Sequence, residues 1–315
     1  MLRYICKRMV FLLLVMLGVS FLAFSMSHLT PGDPAEVILR MDSIDPTPEA
    51  VALMRERMGL NDPVLVQYGK WLLKAVQGDL GVSFRTRRSV LEELLQRLPA
   101  TVELTLAGTV VLLLVSIPLG LLSAFYKNTK IDHFSRFFAL IGASLPSFWL
   151  GLIFIYFFAV KYSLFPVMGR GSMLHLVLPG LTLGLGMSAT YARLLRASML
   201  EVLGQDFIQA ARARGLKEKT ILIGHALKNA LLPLVTVFGM SLGHLLGGTV
   251  IVETIFAWPG IGKYLVEAIF TRDYPVVQGY VLLMALIFVT VNLMIDISYT
   301  FIDPRMRLSG KGGSK

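Results

Sequence analysis

The sequence has very little cysteine and little charge. Cys6 is the only cysteine among 315 residues, which excludes an intramolecular disulfide and a metal site built from clustered cysteines. Only 16% of the residues are charged, whereas 55% are hydrophobic and the mean hydropathy is +0.68. A soluble domain of this length has a much lower hydropathy. The composition therefore indicates an integral membrane protein.

Sequence motifs that would mark other functions are also missing. The chain has no Gly-x-x-x-x-Gly-Lys-Ser/Thr phosphate loop, so we expect it neither to bind nor to hydrolyse nucleotide. We also expect this chain to bind no cofactor. It has no filter motif of a channel. It also lacks the internal repeat and paired broken helices that secondary transporters usually show. A secondary transporter is kept as the alternative from a different functional class.

The hydrophobic residues form six segments that are long enough to cross a bilayer. Their approximate limits are 9–26, 100–125, 138–160, 176–195, 232–254 and 277–299. The short loops and termini on one side carry seventeen Lys and Arg, and the loops on the other side carry four. Since the basic side is the cytoplasmic one, this pattern predicts an all-α, six-span protein with both termini in the cytoplasm. On the outer side, Phe256 and Trp258 are expected at the membrane interface.

The net charge of +10 has the same origin. Much of the positive charge lies in short loops beside the spans, where topology requires it, so we expect no nucleic acid partner.

We divide the chain into four parts. They are the N-terminus with the first span (1–28), an external segment (29–98), the other five spans with a polar loop at 198–232 (99–302), and a cytoplasmic tail (303–315). In the external segment, Thr47 is expected to cap a helix that begins at Pro48 and ends near Gly59. Further amphipathic helices are expected at 68–76 and 90–98. The segment is too short and too mixed for a catalytic domain.

The loop at 198–232 lies between the fourth and fifth predicted spans and carries a dense run of Lys and Arg. Apolar residues recur in it at helical spacing, which predicts a short amphipathic helix with one apolar side. These residues are Val202, Leu203, Phe207, Ile208, Ala210 and Ala211. Gly215 is expected to end that helix, because glycine tolerates the left-handed conformation found at helix ends. Such a helix suits a groove on a soluble partner; the alternative is a basic helix held by anionic lipid.

The motif Gln209-Ala210-Ala211-x-x-x-Gly215 resembles the EAA loop of ABC importer permeases, the element that docks into the ATPase. The family has Glu at the position of Gln209, and its Ile-x-Leu-Pro pattern is replaced here by a stretch that begins at His225. These departures are typical of the peptide and nickel branch. The resemblance implies that the residues that couple to the ATPase are Gln209, Ala210, Ala211, Gly215, Leu216 and His225.

Other motifs resemble the permease subunits of dipeptide, oligopeptide and nickel ABC importers over about residues 1–307. They are Pro31-Gly32-Asp33-Pro34, Gly78-Asp79-Leu80-Gly81, Leu98-Pro99-Ala100-Thr101, Phe256-Ala257-Trp258-Pro259-Gly260, Arg272-Asp273-Tyr274-Pro275 and Asp303-Pro304-Arg305. The resemblance implies a type I ABC importer permease fold in a bacterial inner membrane, with a small external domain between the first two helices. It also implies three kinds of partner: a second permease subunit, two ATP-binding subunits and an external substrate-binding protein.

The substrate expected from the resemblance is nickel, free or chelated. The stretch 46–49, the residue Ala257 and the compact loop after the third span all resemble the nickel branch. The stretch 198–204 is equally like the dipeptide branch. Dipeptides or oligopeptides therefore stay open as the alternative substrate.

A few polar or soft side chains within the spans are candidates for lining a translocation path. They are Met240, His244, Glu253 and Asp296. Ionisable groups inside a membrane are functional candidates, and His or Met side chains are able to contact a metal in transit. The structural alternatives are hydrogen bonds to a neighbouring helix and, for methionine, gap filling. We assign no catalytic residue and no firm metal site.

Overall fold

The computed structural model describes residues 2–29, 32–41 and 43–302, with all their side chains except those of 2–9, 27, 143, 240, 242, 244, 246 and 296–302. The predicted tail at 303–315 lies outside the described residues. The helices are α1 (Leu2–Leu29), α2 (Pro34–Met41), α3 (Pro48–Met58), α4 (Val64–Val76), α5 (Val90–Phe125), α6 (Lys130–Ser144), α7 (Ser147–Phe154), α8 (Met173–Leu203), α9 (Asp206–Ala213), α10 (Glu218–Thr220), α11 (Leu227–Ile255), α12 (Ile261–Thr271) and α13 (Tyr274–Ile302). Two π-helical segments, Ile155–Lys161 and Ile221–Ala226, continue α7 and α10.

Several of these helices are long and apolar enough to cross a membrane. Within the described part of the chain there are four such stretches: Val90–Phe125, Met173–Leu203, Glu218–Gly239 and Tyr274–Ile295. A bent pair, Lys130–Gly142 with Ser147–Lys161, makes five if it counts as one span, and Val10–Met26 is apolar but shorter. Over the residues that the structure describes, the protein is therefore mostly helical, with four or five apolar helices of spanning length, and six spans stay a prediction.

The third predicted span, 138–160, is not one helix. Helix α6 ends at Ser144, and α7 leaves it at an angle of 100°. Leu145 and Pro146 lie between the two helices in extended conformations, with ψ of 126° and 136°. Proline has no N–H to donate and disfavours the helical conformation of the residue before it, so the chain breaks here.

The boundary predicted between 90–98 and the second span is also absent. Residues 90–125 form one continuous helix, α5, which contains Pro99 and Pro118. These prolines remain helical because each removes only one donor from a long helix, and the neighbouring turns keep their hydrogen bonds.

The chain forms two compact units, one from residues up to 98 together with those from 264 onward, and one from residues 99–263. In the first unit, α1 packs against α13 and α2 against α3. The predicted capping of α3 is confirmed: the Ala50 N–H donates to Thr47 Oγ1 (3.3 Å), and Gly59 ends the helix with φ of 67°. Residues 29–98 share their unit with the C-terminal helix and do not form a compact unit alone.

A buried carboxylate organises one turn of that first unit. Asp273 accepts hydrogen bonds from Ser83 Oγ (2.5 Å), the Phe84 N–H (3.1 Å) and the Arg85 N–H (3.2 Å). Asp273 is buried. The turn at 83–85 is thereby fixed to the start of α13 by hydrogen bonds to an acceptor that would be costly to leave unpaired.

In the unit of residues 99–263, small residues bring α5 and α8 together. A Cβ atom added to Gly184 would lie 2.5 Å from the Gly108 carbonyl oxygen and 2.6 Å from Val111 Cβ. One added to Gly180 would lie 3.2 Å from Ala107 Cβ. The spacing Gly180-x-x-x-Gly184 therefore serves close helix packing, as the sequence predicts.

Candidate functional site

The polar loop folds as two short helices between α8 and α11. Helix α8 continues to Leu203, the chain is extended at Gln205, and α9 begins at Asp206. Val202 and Leu203 therefore belong to α8, and the prediction of one helix running through them to Ala211 is wrong. Glycine at position 204 and the extended conformation of Gln205 interrupt the helix. Residues 198–203 belong to α8 and residues 227–232 to α11, so the polar loop in the structure is residues 204–226.

One side of α9 is part of the core. Ile208 is 0% exposed and Ala211 is buried. Both belong to a hydrophobic cluster whose other members include Tyr191, Leu195, Met199, Ile221, Ala226 and Ala230. Contacts with α8 and with the segment 221–230 therefore hold α9 in place.

The rest of the α9 surface is exposed. Phe207 is 46% exposed, and Gln209 and Ala210 are exposed too. Beyond the helix, Leu216 is also exposed. The helix thus has one buried apolar side, as predicted, with Phe207 at its edge, and a free side that presents Phe207, Gln209 and Ala210. An exposed aromatic residue flanked by small and polar groups is the kind of anchor that protein interfaces use.

Gly215 lies in the turn that ends α9, as predicted. Its φ is 75°, which is a left-handed conformation. The Gly215 N–H donates to the Arg212 carbonyl (2.9 Å), and the Leu216 N–H donates to the Ala211 carbonyl (3.3 Å). A Cβ at Gly215 would meet no atom within 4 Å. The requirement for glycine therefore comes from the backbone conformation alone.

An exposed ion pair spans this turn. Arg212 Nε donates to Glu218 Oε1 (2.7 Å), and Nη2 donates to Oε2 (3.3 Å). The hydrogen bond to the carboxylate raises the pKa of Arg212. Because both side chains are exposed, the pair adds little to stability, but it links the helices on either side of Gly215.

The predicted coupling residues lie together in the polar loop. Gln209, Ala210, Gly215 and Leu216 are exposed around the free side of α9 and the turn after it, whereas Ala211 packs inward. His225 is exposed in the π-helical segment, with its carbonyl accepting from Asn229 Nδ2 (2.8 Å). Their role toward an ATPase stays a prediction. Phe207 is an exposed aromatic residue that the motif does not single out; in the sequence it is one of the apolar residues that recur at helical spacing.

A buried ion pair joins α6 to α8 near the polar loop. Asp132 is fully buried and accepts from Arg196 Nε (2.9 Å) and Nη2 (2.7 Å), from Ser123 Oγ (2.5 Å) and from the Asn128 N–H (2.9 Å). Four donors on one carboxylate satisfy it completely, which is the condition under which a buried charge is tolerated. The sequence gives only a weak signal for this pair, an acidic residue within a basic loop.

Of the four candidates for lining the translocation path, only Glu253 has a side chain that the structure describes. The side chains of Met240, His244 and Asp296 lie outside the described residues. Glu253 is fully buried at the end of α11: Thr101 Oγ1 donates to its Oε1 (2.6 Å), and the Lys263 N–H donates to its Oε2 (2.9 Å). A role for Glu253 in lining the path stays a prediction. Its contacts in this structure instead close the turn between α11 and α12.

Two of the sequence motifs meet at this turn. Trp258 Nε1 donates to the Ala100 carbonyl (2.8 Å), and the Ile261 N–H donates to Thr101 Oγ1 (3.0 Å). Phe256 and Trp258 are both fully buried in the protein, so the prediction that these two side chains lie at the membrane interface is wrong. The indole finds its polar partner inside the protein instead of at the headgroups. A Cβ at Gly260 would collide with the Glu253 carboxylate, which explains the glycine after Pro259.

Thr101→Val is expected to lower the stability of the assembled protein by about 1–3 kcal/mol, since it removes a donor from a fully buried carboxylate. Thr105→Val is the matched control: it lies on the same helix, and its hydroxyl bonds only to the Thr101 carbonyl (2.8 Å). Thermal unfolding of the purified complex would measure both. Equal shifts for the two variants would contradict the role assigned to Thr101.

Among the described side chains, no three His, Cys, Asp or Glu residues come close enough to form a metal-ligating group.

Comparison with known proteins shows the family to which this chain belongs. Residues 116–308 match the family described as "Binding-protein-dependent transport system inner membrane component". Residues 1–105 match the family that describes the N-terminal part of such membrane components. The dipeptide transport system permease protein DppB of Alkalihalophilus pseudofirmus is 41% identical over 98% of this chain and 100% of its own length. The glutathione transport system permease protein GsiC of Escherichia coli K12 is 38% identical over 98% and 99% of the two chains.

A solved structure agrees in fold. A chain of the inward-facing MetNI methionine ABC transporter aligns with a TM-score of 0.57 at 21% identity, covering 67% of this chain and 96% of that chain. With motifs, helices and relatives in agreement over nearly its full length, this chain belongs to the inner-membrane permease components of binding-protein-dependent ABC importers.

Proposed function

We propose that this chain forms one half of the translocation path of an ATP-driven peptide importer. The observation that carries the proposal is the similarity to a dipeptide permease and a glutathione permease, at 41% and 38% identity over 98% of this chain. The sequence motifs leave peptides open as the alternative substrate, and these relatives support peptides better than nickel. The nickel assignment rests only on short stretches, such as 46–49 and Ala257.

We place the chain in the bacterial inner membrane with six spans and both termini in the cytoplasm. The loops that carry most of the Lys and Arg then lie inside, in agreement with the positive-inside rule. In this arrangement the short apolar helix at Val10–Met26 is the first span, and the bent pair α6–α7 is the third. Residues 29–98 lie outside, where a substrate-binding protein delivers its cargo.

The polar loop is the proposed contact with the ATPase. Its support is the division of α9 into an inner side held by Ile208 and an outer side that presents Phe207, Gln209 and Ala210. A helix fixed to the core on one side transmits movement of a docked partner to α8 and α11. A second permease subunit and two ATP-binding subunits complete the assembly, and ATP is hydrolysed outside this chain.

Uptake of a radiolabelled dipeptide by cells that express the complete transporter tests the substrate. We expect uptake that excess unlabelled dipeptide inhibits and that nickel chloride leaves unchanged. Radiolabelled nickel accumulation that dipeptide fails to inhibit would overturn the peptide assignment and return attention to His244 and Met240.

The same assay separates an ABC importer from a secondary transporter. Uptake should disappear when the catalytic carboxylate of the partner ATPase is replaced, although the membrane potential is intact. Uptake that persists in that strain would support a secondary transporter instead.

A further inference from the structure

A basic cavity opens between α6 and α8, in the unit of residues 99–263. Its volume is about 600 Å³, within the range of small-molecule sites. Its lining consists of His133, Arg136, Phe137, Leu140, Arg193 and Arg196. Four of these six residues carry basic side chains, and none is acidic. A cavity with this lining favours an anion.

The cations of the cavity are only partly neutralised by the protein. Arg196 uses Nε and Nη2 to bind Asp132, which leaves Nη1 without a partner among the described residues. Arg136 and Arg193 are exposed, and no described carboxylate pairs with either. Asp132, which pairs with Arg196, is fully buried. Two guanidinium groups and part of a third therefore face the cavity free to bind an anion.

The ion pair between Asp132 and Arg196 also preorganises the cavity for binding. Asp132 holds the guanidinium of Arg196 by two hydrogen bonds, so the position of that cation is fixed before any ligand arrives. A preordered cation loses little conformational entropy on binding, in contrast to a free surface lysine.

The rim of the cavity is apolar and continues along α6. Phe137 and Leu140 belong to the lining, and Phe134, Phe138 and Ile141 are exposed beside them on the same helix. In a membrane, exposed aromatic and aliphatic side chains next to a basic pocket match a ligand with a charged head and hydrocarbon tails. A soluble anion would gain nothing from this apolar continuation.

We propose that this cavity binds the phosphate headgroup of an anionic phospholipid, with the acyl chains lying along α6. Arg136, Arg193 and the free Nη1 of Arg196 hold the phosphate, and Phe137 and Leu140 contact the first part of the chains. The basic-loop pattern puts this end of α6 at the cytoplasmic face, where anionic lipids collect. The lipid would support α6 and α8 close to the polar loop.

Lipid binding by the purified complete transporter tests this site. The complex is titrated with phosphatidylglycerol or phosphatidylcholine, and the bound lipid is counted by native mass spectrometry. For the double variant Arg136→Gln/Arg193→Gln, we expect the apparent affinity for phosphatidylglycerol to fall roughly 30-fold, or about 2 kcal/mol at about 1 kcal/mol per cation. The matched control is Lys127→Gln/Lys130→Gln, which removes two exposed charges close to the start of α6 but outside the cavity.

The alternatives give different results. Equal loss in the control, or equal retention of phosphatidylcholine by the wild type, would overturn the proposal. Displacement of phosphatidylglycerol by inorganic phosphate would assign the cavity to a soluble anion and would also overturn it. Loss of the ATPase subunits from the double variant, with lipid binding unchanged, would assign these arginines to a subunit interface.

A second measurement avoids removing charge. Phe137→Cys, in a chain whose Cys6 is replaced by serine, is labelled with a fluorophore and exposed to lipids with brominated acyl chains. Stronger quenching by brominated phosphatidylglycerol than by brominated phosphatidylcholine is expected. Equal quenching by the two lipids would contradict a specific headgroup site.

Discussion

Gly215→Pro is expected to abolish transport while leaving the chain in the membrane. Gly215 has φ of 75°, which proline cannot adopt, and its N–H bonds to the Arg212 carbonyl. The substitution therefore forces a new backbone path between α9 and α10. A distortion worth about 3 kcal/mol weakens docking of a partner roughly 100-fold. Substrate uptake and substrate-stimulated ATP hydrolysis would both measure the loss.

Matched alanine substitutions separate the backbone effect from crowding. A Cβ meets no atom within 4 Å at either Gly215 or Gly224, but only Gly215 has a positive φ. Gly215→Ala should lower transport about fivefold, since a left-handed alanine costs about 1 kcal/mol, and Gly224→Ala should have little effect. Glutamate at position 215 should also uncouple transport. Normal transport with Gly215→Pro would refute the assignment of this turn to coupling.

Neighbouring aspartate substitutions on α9 are expected to fail in opposite ways. Ile208→Asp buries an unpaired carboxylate in the core cluster, at a cost of several kcal/mol, so the chain should not accumulate. Phe207→Asp changes an exposed residue, so stability should shift by only about 0.5 kcal/mol. Removal of an exposed aromatic anchor should nevertheless weaken ATPase binding by about 2 kcal/mol or more.

Abundance in the membrane and co-purification of the ATPase subunits distinguish these outcomes. Phe207→Asp should be abundant and lack the ATPase, and Phe207→Trp should restore binding by supplying another aromatic anchor. If Phe207→Asp kept its ATPase, the free side of α9 would not be the docking surface. If Ile208→Asp accumulated normally, the packing described for α9 would be wrong.

Local features of the fold could be predicted from the sequence. The capping of α3 by Thr47, its end at Gly59 and the left-handed turn at Gly215 follow from residues that are adjacent in the chain. The close approach of helices at Gly180 and Gly184 follows from side-chain size. The membrane class follows from composition. Each of these features depends on the residues of a short stretch of chain, so it could be predicted without knowing which distant residues pack against that stretch.

Features that depend on distant partners could not be predicted. The division between Ile208 and Phe207 depends on where α8 and the segment 221–230 approach α9, although both residues satisfy the same helical spacing. Trp258 is buried because the Ala100 carbonyl is available to its indole, which hydropathy alone cannot reveal. The effect of a proline on a helix also cannot be predicted from the proline alone. Pro146 lies at a bend of 100°, whereas Pro99 lies within a continuous helix.

Composition, charge placement and motifs identify a helical membrane protein of the importer permease family, and residue preference identifies the turn of the polar loop that requires glycine. The packed fold is needed to see which side of α9 is free, that Thr101 and Glu253 close one turn, and that Asp132 fixes Arg196 beside an open basic cavity. The two kinds of feature differ in the distance along the chain over which their interactions act. Propensity, capping and hydropathy act within a few residues, whereas burial and the pairing of charges depend on groups that the fold brings together from distant parts of the chain.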